Sequence, residues 1–500
     1  MADILGGIAD ALAWTNVLFV ALGVLTGIVV GAIPGLNGPI AIAVALPITF
    51  YLSPLGGMAY LIGIMKGGTF GGSISAILLN TPGSPEAAAT AFDGYPLAQQ
   101  GKPLKAMKMA LYSSVFGDSF SDVVLFLVAA PIAVVALMMG PPEMSAVLIF
   151  ALTIIAGLSG KSLIRGIIAA TLGGVVGSIG LDVESSLPRL TFGFVELEDG
   201  VPLIPLTIGL LALSEILIQI EAQVLGRADV ATRINPFRKD ARREDQIVTW
   251  AEWRESFRTI IRSSLIGTGI GALPGVGAVV AGFLGYAAAK RASPKASEFG
   301  TGKVEGIAAV EAANSAVTGA NLIPLLALGI PGSLSAAILI GAFLVHGVQP
   351  GPLIFQDHAR LVYGIFAAMA LANILNLIIG QFGLRFFAFV VSFPNSVIHP
   401  IVIVLCIAGA YATNNSMFAV AIALISGVAG YFMRKLDFSF AAFIIGFALA
   451  PQTELYIRQT VILFQDEPSR LLSHPIMLFF LALTAFSVWR IVQHKRAGIL

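Results

Sequence analysis

Four proline–glycine motifs interrupt apolar stretches of the chain and are the residues best suited to bind a small ligand. They are Pro34-Gly35-Leu36-Asn37, Asn80-Thr81-Pro82-Gly83-Ser84, Pro274-Gly275-Val276-Gly277 and Ile330-Pro331-Gly332-Ser333. Proline removes a backbone donor and glycine permits conformations that other residues resist, so each motif predicts a helix end inside an apolar segment. Helix N-termini attract anions, and helix C-termini attract cations. We therefore assign these residues to a substrate site and predict that the four motifs converge on one polar cavity.

Short uncharged polar side chains near the motifs suit hydrogen bonding to carboxylate oxygens or coordination of Na+. Asn314 and Asn321 precede the fourth motif and are candidates to offer amide oxygens to a coupling cation. The same residue types also join membrane helices by hydrogen bonds, and that alternative stays open for both asparagines. We assign Ser75 and Ser335 to helix packing.

Two charged residues in apolar stretches are further candidates, because an ionisable residue inside a membrane is usually functional. Lys66 either neutralises an anionic substrate as part of the site, pairs with an acid or extends to the membrane surface. Glu311 is a candidate for coupling protons or ions, with capping or pairing to Lys303 as the alternative. The other charges within or beside apolar stretches are Glu86, Asp118 and Asp122.

Sequence motifs typical of enzymes are incomplete in this chain. Gly160-Lys161-Ser162 resembles the end of a phosphate-binding loop, but Ile155 stands where that loop needs its first glycine. The histidines have no metal-ligand spacing, and the single cysteine, Cys406, excludes a disulfide within the chain. We therefore predict no catalytic residue, no cofactor and no metal, except that a coupling Na+ or H+ is expected.

Composition places most of the chain inside a membrane. Hydrophobic residues make up 57% and charged residues 11% of the 500 residues, whereas a soluble domain carries about 25% charged residues. The apolar stretches are long and uninterrupted, which favours helices over the alternating strands of a barrel. A net charge of +1 argues against nucleic acid as a partner. We predict an all-α polytopic membrane protein in contact with lipid.

The distribution of basic residues predicts the topology. No lysine or arginine precedes Lys66, so the N-terminus is expected outside and the C-terminus inside. The segment 226–262 is rich in arginine and is expected to be a cytoplasmic linker between two halves.

The two halves carry matching motifs in the same order, which indicates an internal duplication. We divide the chain into a first repeat (1–225), the linker, a second repeat (263–470) and an extra C-terminal helix with a tail (471–500). The segment 263–288 is too short to cross twice and predicts a re-entrant hairpin. The repeats then have opposite orientations, with about eleven crossings and two hairpins, as in secondary transporters built from inverted repeats.

Several of these blocks resemble the large membrane subunit of tripartite tricarboxylate transporters, the TctA family. The resemblance rests on the first, second and fourth motifs with their flanking residues, on Asp93-Gly94-Tyr95-Pro96, on Glu311-Ala312-Ala313-Asn314 and on His346-Gly347-Val348-Gln349-Pro350, and it extends over nearly the whole chain. It implies a multi-pass protein of the bacterial inner membrane, with a small TctB-like membrane subunit and a periplasmic TctC-like solute-binding protein as partners. It also implies import of citrate or related carboxylates, driven by Na+ or H+.

Together these observations predict a subunit that imports carboxylates by ion-coupled alternating access. The proline–glycine elements would move as a transport unit in an elevator mechanism, with a rocking motion as the alternative. A carboxylate-permeable channel, or a scaffold subunit without its own substrate site, is the competing hypothesis.

Overall fold

The computed structural model describes residues 2–158, 162–182, 184–225, 243–275, 277–391, 393 and 395–496. The helices of this part of the chain are α1 (Ala2–Ala11), α2 (Trp14–Ala32), α3 (Gly38–Ala45), α4 (Pro54–Leu79), α5 (Ala91–Gln99), α6 (Pro103–Ala136), α7 (Pro141–Leu158), α8 (Leu163–Gly177), α9 (Leu203–Thr207), α10 (Ser214–Val224), α11 (Arg243–Gln246), α12 (Trp250–Gly271), α13 (Gly277–Ala292), α14 (Val304–Ala320), α15 (Leu322–Leu328), α16 (Leu334–Val345), α17 (Ile354–Asp357), α18 (Ala359–Val390), α19 (Asn395–Asn414), α20 (Met417–Lys435), α21 (Phe440–Phe464) and α22 (Pro475–Arg496). A π-helical turn, Ile208–Leu213, joins α9 to α10, and the strands β1 (Gly180–Leu181) and β2 (Pro188–Arg189) pair antiparallel. Val276 and most of the predicted linker, 226–242, lie outside the described residues.

The prediction of an all-α polytopic membrane protein is confirmed. Among the described residues, eight helices are long and apolar enough to cross a membrane: α2, α4, α6, the continuous stretch from α9 to α10, α18, α19, α20 and α21. Shorter apolar helices include α8 and α16. The count of eleven crossings stays a prediction. The helix α12 begins at Trp250, inside the segment that we expected to be linker, and α13 returns after the third motif.

Small residues let α2 and α4 pack along their length. A Cβ atom at Gly23 would lie 2.2 Å from the carbonyl oxygen of Tyr60, and one at Gly27 would lie 2.3 Å from that of Ile64. The helices α12 and α14 meet in the same way, since a Cβ at Gly267 would lie 2.0 Å from the carbonyl oxygen of Ala313. Close backbone approach of this kind replaces the hydrophobic effect as the force between helices in lipid.

We expect Gly27→Ala to destabilise the protein. The added methyl group meets backbone atoms of α4 that cannot rotate away, which costs about 1–3 kcal/mol of unfolding free energy. The matched control is Gly269→Ala, because a Cβ at Gly269 on α12 meets nothing within 4 Å and alanine favours the helix. The midpoint of thermal unfolding in detergent should fall for the first variant only. Equal midpoints for both variants would contradict the packing described.

Helices of the two halves also interlock. The helix α6 packs along α14 of the second half, and α18 packs along α2 and α4 of the first half. Likewise α8 packs along α21, and α20 packs against the π-helical turn. The long helices α6 and α18 therefore each pack against the opposite half of the chain.

The long connection between α8 and α9, which contains β1 and β2, carries a carboxylate with strong donors. Asp182 Oδ1 accepts hydrogen bonds from the backbone N–H groups of Ser185 (2.9 Å) and Glu184 (3.1 Å). Asp182 Oδ2 accepts one from the guanidinium of Arg458 (2.8 Å). The Ser185 amide and the Arg458 guanidinium hold the pKa of Asp182 well below its ordinary value.

This lowered pKa predicts how loop stability depends on pH. The ionised Asp182 stabilises the folded state above the unfolded pKa of about 3.9, and this contribution is lost as the pH falls below that value. The difference in unfolding midpoint between the wild type and Asp182→Asn should therefore be large at pH 7 and shrink toward pH 3. A difference that grows with acidification would contradict the prediction.

Candidate functional site

A cavity of about 160 Å³ lies where the interrupted helices meet. Its described lining consists of Gly38, Pro39, Met65, Gly68, Thr69, Glu86, Gly275, Gly277, Ala278, Val279, Val317, Thr318, Asn321, Gly332, Ser333, Leu334, Ser335, Ala441 and Ile445. Both halves of the chain contribute to this wall. Residues at or next to each of the four motifs belong to it.

Three helices begin at the cavity wall. The first residues of α3 (Gly38 and Pro39), of α13 (Gly277 to Val279) and of α16 (Leu334 and Ser335) all line it. The first four N–H groups of a helix have no acceptor within that helix, and the helix dipole adds positive potential at this end. The wall therefore combines positive potential from three helix starts with backbone donors, of which Pro39 supplies none because proline has no N–H group.

The third and fourth motifs contact each other, and the second motif contacts the helices α2 and α4. The N–H of Gly275 in the third motif donates to the carbonyl of Gly332 in the fourth motif, with an N–O distance of 3.0 Å. In the first half, the N–H of Gly83 donates to the carbonyl of Gly72 on α4 (3.2 Å). A Cβ at Gly83 would lie 2.2 Å from the carbonyl oxygen of Gly31, so the second motif touches the end of α2.

The first motif ends α2 and starts α3. Gly35 has a φ of +86°, Leu36 is buried, and the Asn37 side chain caps α3 by accepting from the N–H of Ile40 (3.1 Å). A Cβ at Gly35 would collide with Gln219 on α10. Pro34 and the rest of this motif lie next to the cavity wall in the chain rather than in the wall itself.

The second motif ends α4. Asn80 adopts a left-handed conformation with a φ of +55°, and both Asn80 and Thr81 are exposed. Pro82 is half-buried, whereas Ser84 is buried and its hydroxyl has no hydrogen-bond partner. Only Glu86, two residues further on, reaches the wall.

The third and fourth motifs contribute their own residues to the cavity wall. Gly275 and Gly277, with φ values of +84° and +77°, line the cavity after Pro274. Gly332 and Ser333 line it after Ile330 and Pro331, which are not in the wall. Left-handed backbone favours glycine, so the third motif turns the chain sharply from α12 into α13.

Asn321 and Ser333 form a polar pair in the wall. The Asn321 Nδ2 donates to Ser333 Oγ (2.8 Å), and that oxygen also accepts from the N–H of Ala336 (3.2 Å) to cap α16. Asn321 Oδ1 has no partner. Two turns earlier, Asn314 Nδ2 donates to the carbonyl of Glu86 (3.5 Å), and Asn314 Oδ1 is also without a partner.

Glu311 lies apart from the cavity wall in a nest of hydroxyl groups. Its carboxylate accepts from Ser73 Oγ (2.6 Å), from Thr90 Oγ1 and from Ser114 Oγ (2.8 Å). Glu311 is completely buried, and no ion pair to it is found among the described residues. The alternative of an ion pair with Lys303 is not seen, because Lys303 pairs with Glu255 and Glu298.

Lys66 is completely buried and its ammonium group is engaged by acids. The Nζ atom lies 2.8 Å from Asp122 Oδ2 and 3.4 Å from Asp118 Oδ1. Lys66 is absent from the cavity wall. Of the three roles that the sequence allows for Lys66, namely neutralising a substrate, pairing with an acid or extending to the membrane surface, this conformation shows pairing with an acid.

Sequence reasoning missed part of the wall. Thr69, Thr318 and the α21 residues Ala441 and Ile445 belong to no motif, and only the tertiary fold brings them here. Ser335 was assigned to helix packing, yet it lines the cavity because the fourth motif turns the start of α16 toward it.

The chain is similar to known proteins over most of its length. The sequence model of the tripartite tricarboxylate transporter TctA family matches residues 17–445. An uncharacterized 52.8 kDa protein in the TAR-I ttuC' 3' region of Agrobacterium vitis is 32% identical over 480 residues, which cover 95% of this chain and 93% of that protein. A protein in the TAR-II ttuC' 3' region of the same organism is 33% identical over 217 residues, or 43% of this chain and 90% of that protein. No solved structure gives a significant match.

Proposed function

Because this chain belongs to the tripartite tricarboxylate transporter TctA family, we propose that it is the large membrane subunit that carries a carboxylate across the bilayer. Membership of a transporter family is consistent with a non-enzymatic role. The proposed substrates are tricarboxylates or related carboxylates such as citrate.

The observation that carries this proposal is the meeting of three helix N-termini at one cavity. Burying a carboxylate without donors is very costly, so its site must supply several. The starts of α3, α13 and α16 supply backbone N–H groups, and Ser333, Ser335 and Thr318 add hydroxyl groups. We assign the four motifs to substrate binding on this ground, with the third and fourth motifs in direct contact.

Charge at the cavity supports coupling of the carboxylate to a cation. Glu86 is the one charged residue among the described residues of the wall, and it is acidic. An anionic substrate beside it gains from a co-bound Na+ or H+, since like charges at close range repel. Asn314 and Asn321 offer unpartnered amide oxygens to Na+, and Glu311 offers a buried carboxyl to H+.

Alternating access is proposed to use two inverted repeats. The pairing of α2 with α4 matches that of α12 with α14. The third and fourth motifs meet, and in the first half the second motif meets the end of α2, just before the first motif. The elements around the motifs would move as a unit in an elevator mechanism. The outer helices α19, α20 and α22, which expose large apolar side chains, would contact lipid and the TctB-like subunit.

The proposed cellular setting follows from the family. A TctC-like periplasmic protein would deliver the carboxylate at the outer face of a bacterial inner membrane. The N-terminus would lie in the periplasm and the C-terminus in the cytoplasm, as the basic residues predict.

Reconstitution tests the proposal. We expect proteoliposomes with this chain and its two partners to accumulate radiolabelled citrate when a Na+ or proton gradient is imposed, with saturable rates that require the binding protein. Vesicles that lack this chain are the control. A flux that equilibrates but never accumulates citrate would favour a channel, and uptake that persists without this chain would favour a scaffold.

A further inference from the structure

A second polar cluster lies in the interior and is not part of the described cavity wall. It contains Lys66 on α4, Asp118 and Asp122 on α6, and Asn373 on α18. Asp122 accepts from Lys66 at both oxygens (3.1 and 2.8 Å) and from Asn373 Nδ2 at Oδ2 (2.7 Å). Asp122 is therefore well satisfied, and it uses most of the hydrogen-bonding capacity of the lysine.

The charges of this cluster do not balance. One lysine faces two aspartates, so the cluster carries a net charge of −1 when both carboxylates are ionised. The side chains of Lys66 and Asp118 are at most 1% exposed. Burying an uncompensated charge is costly, so one further positive charge is needed here.

Unpartnered atoms in the same region point to where that charge binds. Both carboxylate oxygens of Asp118 lack a hydrogen bond, as do Asn373 Oδ1 and both amide atoms of Asn376. Asn373 is 3% exposed and Asn376 is fully buried. Buried polar atoms normally find partners, so this concentration of orphaned oxygens requires an explanation.

The helix register brings these atoms to one level. Tyr112 on α6 donates to Gln381 on α18 (2.9 Å), and Asp122 bonds to Asn373, so the two helices run antiparallel. Asp118 lies one turn before Asp122, and Asn376 lies one turn after Asn373. Residues four or three apart share a helix face, which places Asn376 opposite Asp118.

In the part of the chain that the structure describes, no ion pair to Asp118 or Asp122 is found other than that of Lys66. On α14, Glu311 is bonded to hydroxyl groups and is acidic. The charged residues of α18, Arg360 and Arg385, lie near its ends, and Arg360 pairs with Asp10. The ring contacts Tyr112–Trp253 and Phe116–Phe257 place Arg258 and Arg262 of α12 near the level of Asp118 and Asp122 along the helix, but the side chains of both arginines are exposed. The charge of α5, Asp93, is bonded to backbone N–H groups of the loop before α14.

We propose that Asp118, Asn373 and Asn376 bind one monovalent cation, which neutralises the cluster and accompanies the carboxylate during transport. Carboxylate and amide oxygens are ligands for hard cations, and a proton on Asp118 supplies the same single charge. The site joins α6 to α18, and Lys66 links it to α4, which ends at the second motif. Its role in transport rests on the proposed function, whereas the binding of the cation does not.

Cation binding to the purified full-length chain tests the site without any substrate. The midpoint of thermal unfolding is measured against NaCl and against KCl at constant ionic strength, and separately against pH without either salt. We expect the wild type to be stabilised by one of Na+, K+ or H+ and Asp118→Asn to lose that response. Asp357→Asn, which removes an exposed carboxylate on α17, is the matched control and should keep it.

A second variant keeps the proposal testable if Asp118→Asn does not fold. Asn376→Ala removes one ligand and leaves all charges. It should therefore lower the affinity for the cation, and the half-maximal cation concentration should rise by about tenfold. The proposal is overturned if the wild type responds to none of the three ions, or if both variants respond as the wild type does. Because the assay contains no carboxylate, failure of citrate uptake would leave its outcome unchanged.

Discussion

Replacing Ser335 with tryptophan should lower citrate uptake by about a hundredfold or more, because a cavity of about 160 Å³ cannot hold an indole ring together with a tricarboxylate. Ser335 lies in the wall at the start of α16, where its side chain is only half-buried and has room to point into the cavity. The measurement is the initial rate of radiolabelled citrate uptake by proteoliposomes that contain the complete complex.

The matched control is Ser335→Ala, which leaves the cavity open and removes only one hydroxyl group. Its uptake rate should stay within about tenfold of the wild type, since one neutral hydrogen bond contributes about 0.5–1.5 kcal/mol. Both variants should be present in the membrane in similar amounts. Wild-type uptake by Ser335→Trp would show that the carboxylate does not pass through this cavity.

The largest effect on stability is expected for Lys66→Met. Removal of the ammonium group leaves Asp118 and Asp122 buried without the lysine that pairs with both, and breaking a buried ion pair costs about 3–5 kcal/mol. The unfolding midpoint in detergent should fall sharply. Adding Asp122→Asn to Lys66→Met should recover part of the loss, because one of the two uncompensated carboxylates is then removed.

An exposed lysine provides the comparison for this variant. Lys295 pairs with Glu255 at 3.0 Å, but its side chain is 48% exposed, and surface pairs of this kind contribute about 0–1 kcal/mol. Lys295→Met should therefore melt near the wild type. If Lys66→Met also melts near the wild type, the buried cluster does not hold α4 against α6.

Local chemistry explains what the sequence predicted well. Proline and glycine act on their own backbone, so helix ends at Ala32, Leu79, Gly271 and Leu328 follow from the motifs themselves. The membrane class follows from composition, and the family follows from the motifs together.

Tertiary contacts explain what sequence patterns left open. The partners of Lys66 lie 52 and 56 positions away on another helix. Sequence spacing therefore could not decide whether the lysine binds a substrate or pairs with an acid. Asn373 and Asn376 are polar residues in a long apolar helix, which was an available signal, but their register against Asp118 depends on the antiparallel packing of α6 and α18. Ser335 faces the cavity only because of the turn before α16.

The most direct test of the central claim is whether a transported carboxylate shields the start of α16. The chain has one cysteine, the buried Cys406, so Ser335→Cys in a Cys406→Ala background gives a single reactive thiol at the cavity. Modification by a charged thiol reagent, followed from both sides of the membrane, should slow several-fold when citrate and the coupling ion are added. An unchanged modification rate in vesicles that accumulate citrate would contradict the claim that these helix N-termini hold the substrate.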